Sequence, residues 1–273
     1  MLTRRATSRF FLSLSFAAGC AATATAAPQV KTIDYPGASL TIAADINSRG
    51  DIVGHFQSGL EIHGYLLADG VFTPIDYPAA SSTDPVGIND RGDIVGYYRV
   101  GSKLHGFLRS KHGVLTTIEI AGADPTIAKG INNQGDIVGS TVVNGVTKGF
   151  LLPKGDVHAP VFYDTPLFGI NNRGDVVGLL MNSPGTSSGI LISNGDRSLI
   201  DYPGQSVTQL IRINSRGDIL GISNVAFLLS QGVFTTLAIP GAKSTIAGGI
   251  NESGTIVGLY QDSNNNFHGF VMN

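Results

Sequence analysis

The chain has 273 residues, among them 36 glycines, 42% hydrophobic residues, no tryptophan and only 14% charged residues, so many turns coexist with enough apolar side chains for a core. A formal net charge of -2 without a basic run argues against a nucleic-acid partner, whose phosphates demand a positive face. Beyond the N-terminus no apolar stretch approaches the roughly 20 residues of a membrane-spanning helix.

The first segment reads as an export signal. Arg4, Arg5 and Arg9 form a positive region, Phe10 to Ala22 is apolar, and Ala24-Thr25-Ala26 supplies a small-x-small cleavage pattern. Residues 1–26 are therefore expected to be a signal peptide and the product to be secreted or periplasmic. Ala17-Ala18-Gly19-Cys20 resembles a lipobox without its usual leucine, which makes lipoprotein anchoring through Cys20 the alternative. Arg4-Arg5 suggests twin-arginine export less well, because the apolar pair that should follow is missing. Cys20 is the only cysteine, so cleavage after Ala26 would leave neither disulfide nor thiol chemistry.

From about residue 30 onward one phrase recurs six times, Ile-Asn-x-x-Gly-Asp-Ile-Val-Gly or a near relative. Its asparagines are Asn47, Asn89, Asn132, Asn171, Asn214 and Asn251, at intervals of 42, 43, 39, 43 and 37 residues. A period near 40 with several short strands per unit is the signature of a β-propeller. The second repeat shows the pattern best: Thr83 to Asn89, Asp93 to Tyr98, His105 to Leu108 and Gly113 to Ile120 are β-branched or aromatic runs bounded by turn residues. No 11-residue window keeps a 3.6 period without an interrupting glycine, so helix is not competitive. In Asn89-Asp90-Arg91-Gly92-Asp93 the side chains start a turn and the glycine supplies its left-handed residue.

A second mark recurs on the third strand, as His63-Gly64-Tyr65, His105-Gly106-Phe107, Lys148-Gly149-Phe150 and His268-Gly269-Phe270. The fourth strand runs into Ile75-Asp76-Tyr77-Pro78 or a relative, where proline ends the strand. Leu152 to Thr165 and Leu179 to Ser188 depart from the pattern, the latter reading as a long connection between second and third strands. The last repeat stops after its third strand, at Phe270-Val271-Met272-Asn273, while Val30 to Pro36 reads as a fourth strand with no repeat before it. Pairing the two would remove open sheet edges. The expectation is an all-β single domain over 30–273: a six-bladed β-propeller of four-stranded antiparallel blades, closed by the N-terminal strand completing the C-terminal blade.

Gly-Ile-Asn-x-x-Gly-Asp-Ile-Val-Gly-x-Tyr, then His-Gly-Phe-Leu, then Gly-x-Phe-Thr-Thr-Ile-Asp-Tyr-Pro-Gly-Ala resembles the bacterial HAF-type extracellular repeat family, named for a His-Ala-Phe tripeptide that here reads mainly His-Gly-Phe. The resemblance covers nearly all of the expected mature chain. It implies an exported, propeller-like protein and implies no activity.

Candidate chemistry is sparse. Arg-Gly-Asp occurs at Arg49, Arg91, Arg173 and Arg216, but Gln134 and Ser253 hold the same place elsewhere, so the tripeptide reads as a by-product of the hairpin rather than an adhesion motif. The Asn/Asp segments also echo calcium loops, yet an Ile precedes each Asn and Arg or Gln mostly stands where an oxygen ligand is wanted. His63, His105 and His268 share one repeat position in three units and are too dispersed for one metal. There is no Gly-x-Ser-x-Gly elbow. No catalytic set, metal site or cofactor motif is read.

Departures from the repeat are the better lead. Just before the repeated Ile stand Gly87, Gly130, Gly169 and Gly249, but Asp45 in the first repeat and Arg212 in the fifth. With Lys129, these charges sit on first strands, which in a propeller lie nearest the axis. Asp45, Lys129 and Arg212 are thus the candidate ligand-binding residues, at a channel mouth, suited to an anionic sugar or carboxylate. The expected function is an exported binding or structural interaction module, monomeric, for a glycan or envelope protein. The alternative is an extracellular polysaccharide lyase or hydrolase, which a carboxylate, a base and an Arg within bonding reach at one mouth would favour.

Overall fold

The structure is a computed structural model that describes residues 29–273; the segment expected to be a signal peptide, residues 1–26, and Cys20 lie outside the described residues. Among these residues the fold is all-β and propeller-like, with 24 strands and one short 3-10 turn at Pro153–Gly155. No helix in the described residues is long and apolar enough to cross a membrane.

Each repeat forms an antiparallel meander of short strands. In the second they are Ser82–Ile88, Ile94–Val100, Lys103–Arg109 and Leu115–Ile118. The expectation of six separate four-stranded blades is corrected by the hydrogen bonding: there are four sheets, one of twelve strands and three of four. Parallel bridges make the difference. Leu40 pairs with Phe267, and Ile62 with Ser82, so neighbouring meanders fuse into the large sheet. The glycine of the third strand permits this closeness: a Cβ on Gly64 would lie 2.6 Å from the ring of Pro85 in the next repeat. Val30–Ile33 pairs antiparallel with Phe267–Met272, from Val30 opposite Met272 to Ile33 opposite Gly269.

Leu179 to Ser188, expected as a long connection, is instead two arms of one hairpin. Strands Val176–Ser183 and Thr186–Ser193 pair as far as Ser183 opposite Thr186. Its Ser, Pro and Gly content looks like a loop, but backbone pairing needs no apolar side chain. The irregularity expected at Leu152 to Thr165 is present as the 3-10 turn followed by the three-residue strand Val161–Tyr163.

Two repeated marks explain each other. A Cβ on the glycine of Asp-Ile-Val-Gly would collide with a first-strand carbonyl, that of Asp84 for Gly96, and with the third-strand ring, that of Phe107. The glycine is the floor on which the buried aromatic lies. Tyr65, Phe107, Phe150, Phe227 and Phe270 are all fully buried there. The Ile-Asp-Tyr-Pro tyrosine ties one repeat to the next. Tyr77 stacks on Tyr98 with ring centroids 3.6 Å apart, and its backbone N–H donates to Thr83 Oγ1 at 2.9 Å.

Candidate axial binding site

The six first strands, Leu40–Ile46, Ser82–Ile88, Thr126–Ile131, Leu167–Ile170, Gln209–Ile213 and Ser244–Ile250, form the innermost layer, each packed against the next and the last against the first. Each ends at the repeated asparagine, where the chain turns. Asn89 Oδ1 accepts from the backbone N–H of Arg91 and of Asp93, and its Nδ2 donates to Asp93. The same Nδ2 donates to the backbone carbonyl of Asn132 in the next repeat, at 3.1 Å. This second bond recurs from Asn47 to Asn89, Asn132 to Asn171, Asn171 to Asn214 and Asn214 to Asn251, and then from Asn251 back to Asn47. The result is a closed circle of six asparagines, each at least 93% buried and each satisfied both locally and across repeats.

One layer deeper lie the expected exceptions. The glycines are required by crowding: a Cβ on Gly87 would sit 3.0 Å from the Lys129 carbonyl, and one on Gly169 3.0 Å from Arg212 Cα. The structure brings Asp45 and Arg212 together. Arg212 Nε lies 3.5 Å from Asp45 Oδ1, and Asp45 Oδ2 accepts from the Ile88 backbone N–H at 3.1 Å. Arg212 crosses the axis, with Nη1 donating to the carbonyls of Phe168 and Ile211 at 2.9 Å and Nη2 donating to that of Val86, three repeats away. Burial raises the Asp45 pKa, and the nearby guanidinium and the Ile88 amide only partly offset it. The guanidinium is thus committed to backbone carbonyls and to Asp45.

A further regularity was invisible in the sequence. Every first strand carries a β-bulge one residue before this layer, at Ala44, Val86, Lys129, Phe168, Ile211 and Gly248. A bulge sets two residues against one on the partner strand and re-aims the side chains. All six bulge residues line one cavity of about 330 Å³ on the axis, on the far side of Arg212 from the asparagine circle. Its outer wall is Ile42, Ile222, Ile246 and Leu259, with Gln209 and His55 as polar members. Lys129 is the only amine in the lining, its Nζ 5.2 Å from the centroid of the Phe168 ring. Burial, and then the charge of Arg212, lower its pKa to about 8.

His55 is the residue that sequence reasoning missed. It follows the Ile-Val-Gly of the first repeat, where other repeats hold Tyr97, Ser140, Leu179, Ile222 and Leu259, so its departure was there to be seen. Its Nδ1 lies 3.5 Å from Asp84 Oδ1 and has no hydrogen-bond partner. Burial lowers the His55 pKa and raises that of Asp84, each only partly countered by the other, so the pair is poised toward neutrality.

The remaining motifs are absorbed by structure. Arg49, Arg91, Arg173 and Arg216 each pair with the Asp two residues on. Arg49 and Arg91 also donate to a carbonyl of the next repeat, Asp90 and Asn133. His63, His105 and His268 face Asp76, Glu119 and Asp34 and stack on Phe56, Tyr98 and Tyr260. The described residues contain no group of three or more His, Cys, Asp or Glu placed to hold a metal ion.

The fold and its axial cavity define a propeller-like protein. Solved structures share that fold: the β-propeller domain of a trilobed protease from Pyrococcus furiosus (TM-score 0.55, 9% identity, covering 86% of this chain and 94% of that one), virginiamycin B lyase from Staphylococcus aureus (0.51, 11%, 89% and 88%) and a gluconolactonase from Xanthomonas campestris (0.51, 10%, 90% and 89%). At such identities the likeness extends to the fold alone. No protein-family model and no curated protein sequence matches the chain.

Proposed function

We propose that the chain is an exported binding module whose axial cavity holds a small, largely apolar ligand with one polar group directed at Lys129. The observation that carries this reading is the convergence of all six bulge residues on one cavity, apolar except for Lys129, His55, Gln209 and the Arg212 plug. Apolar clefts of a few hundred Å³ with a few placed polar groups are the usual form of small-molecule sites. A glycan, the partner expected from sequence, would meet too few hydrogen-bonding groups inside, and the asparagines of the circle are buried and already satisfied by one another and by their own turns. The lyase or hydrolase alternative needs a carboxylate, a base and an arginine free to act together. Asp45 and Arg212 are engaged with each other and with backbone groups, which supports binding over catalysis.

Ligand-observed NMR with benzyl alcohol and benzoate tests the reading. Saturable binding to the native chain is expected, together with its loss in Ala44→Trp, which fills the cavity from one bulge. An absence of saturable binding, or binding unchanged in a folded Ala44→Trp protein, would overturn it.

A further inference from the structure

The geometry points to Lys129 as a carbonyl-binding amine that forms an imine with an aldehyde or ketone held in the axial cavity. This rests on the reading of the cavity as a small-molecule site and adds the chemical class of its ligand. An amine condenses with a carbonyl only when it is unprotonated and reachable. The chain has seven lysines; Lys31, Lys103 and Lys111 line pockets that also hold Asp or Glu, whereas the cavity at Lys129 holds neither. No carboxylate lines the cavity to hold the ammonium form, and the one other full charge that does, Arg212, is of the same sign. Desolvation beside a second cation is a recognised way to activate a lysine as nucleophile. Burial and Arg212 accordingly bring its pKa down to about 8, whereas Lys148 pairs with Asp164 and Lys103 with Asp124 at the surface.

The bulge explains why this side chain and no other is in place. Five repeats put Ala, Val, Phe, Ile or Gly at the bulge, and the third puts lysine. The Phe168 ring beside Nζ gives an ammonium a weak partner through its π face, worth far less than a carboxylate. In the reaction, the Nζ lone pair attacks the carbonyl carbon to give a carbinolamine. Its hydroxyl leaves as water, taking up the proton that nitrogen releases, and a C=N bond replaces C=O. The step is reversible and needs no oxidant or reductant.

The test is reductive trapping with benzaldehyde and cyanoborohydride at neutral pH, followed by peptide mapping, with benzyl alcohol binding measured in parallel. Benzylation of Lys129 at least tenfold faster than of any other lysine is expected. It should be lost in Lys129→Arg, which keeps a cation but forms no imine, and suppressed by excess benzyl alcohol. Labelling spread over surface lysines while benzyl alcohol still binds would overturn the imine and leave the cavity reading intact. Failure of benzyl alcohol to bind would overturn the cavity reading. Lys129 labelling that excess benzyl alcohol does not suppress would overturn the placement of the reaction in the cavity.

Discussion

Lys129 shows how a single misfit side chain can be read from its surroundings. Its folded pKa, about 8, lies below the ordinary 10.5. Below about pH 8 both folded and unfolded chains hold the proton, and the folded state bears the full penalty of a buried charge. Between about 8 and 10.5 the unfolded chain binds more protons, so stability gains as pH rises and the penalty disappears. Lys129→Met should therefore be more stable than the parent at pH 7, by about 1–3 kcal/mol. That advantage should shrink toward zero by pH 10.5, as thermal unfolding of the two proteins across this range would show. Arg212 is the opposite case, since its donors satisfy carbonyls of three repeats. Arg212→Met should cost about 3–5 kcal/mol in urea unfolding because it strands buried Asp45. Replacing Asp45 by Asn in the same chain should recover part of that loss; an unrecovered loss would mean that the carbonyl bonds, not the ion pair, dominate.

At the scale of the element, most of what the sequence showed was local. The hairpin at Asn89-Asp90-Arg91-Gly92-Asp93 was legible because turn chemistry is written in adjacent residues, and Gly92 does take a left-handed φ of +88°. Gly92→Val should cost roughly 1–3 kcal/mol from backbone strain. Arg91, one residue before it, bonds Asp93 and a carbonyl of the next repeat while half-exposed. Arg91→Ala should thus cost about 0.5–1.5 kcal/mol, the worth of one such hydrogen bond. Equal losses from the two substitutions in thermal unfolding would contradict this ordering. Asp45 and Arg212 were found because they interrupt a column of glycines. The bulges were not, since Ala44, Val86, Phe168 and Ile211 are ordinary strand residues and only pairing register reveals the extra one. His55 was legible but less marked: it is the only titratable imidazole at a position that otherwise holds Tyr97, Ser140, Leu179, Ile222 and Leu259, yet no column of one repeated residue set it off as the glycines set off Asp45 and Arg212. The fused sheet could not be anticipated either, because a single bridge such as Ile62 with Ser82 leaves no trace in composition.

Across the whole molecule the asparagine circle has a property that no single repeat possesses. Every side-chain amide donates forward, to the following repeat, and none donates backward. The six bonds run in one rotational sense: each asparagine accepts at its backbone carbonyl from the repeat before it and donates from its side chain to the repeat after it, so each bond helps to position the residue that makes the next. A cycle can be opened only once. The first asparagine lost removes its own bond and loosens the placement of the other five, whereas a second loss finds a ring already open. Asn89→Ala and Asn214→Ala lie on opposite sides of the circle, where independent sites should add within about 0.3–0.5 kcal/mol. The expected result of a double-mutant cycle in urea is a combined cost below the sum by more than that margin. Strict additivity would reduce the circle to six private bonds. With coupling, the molecule has a rotational polarity, felt at every repeat when any one of them is altered.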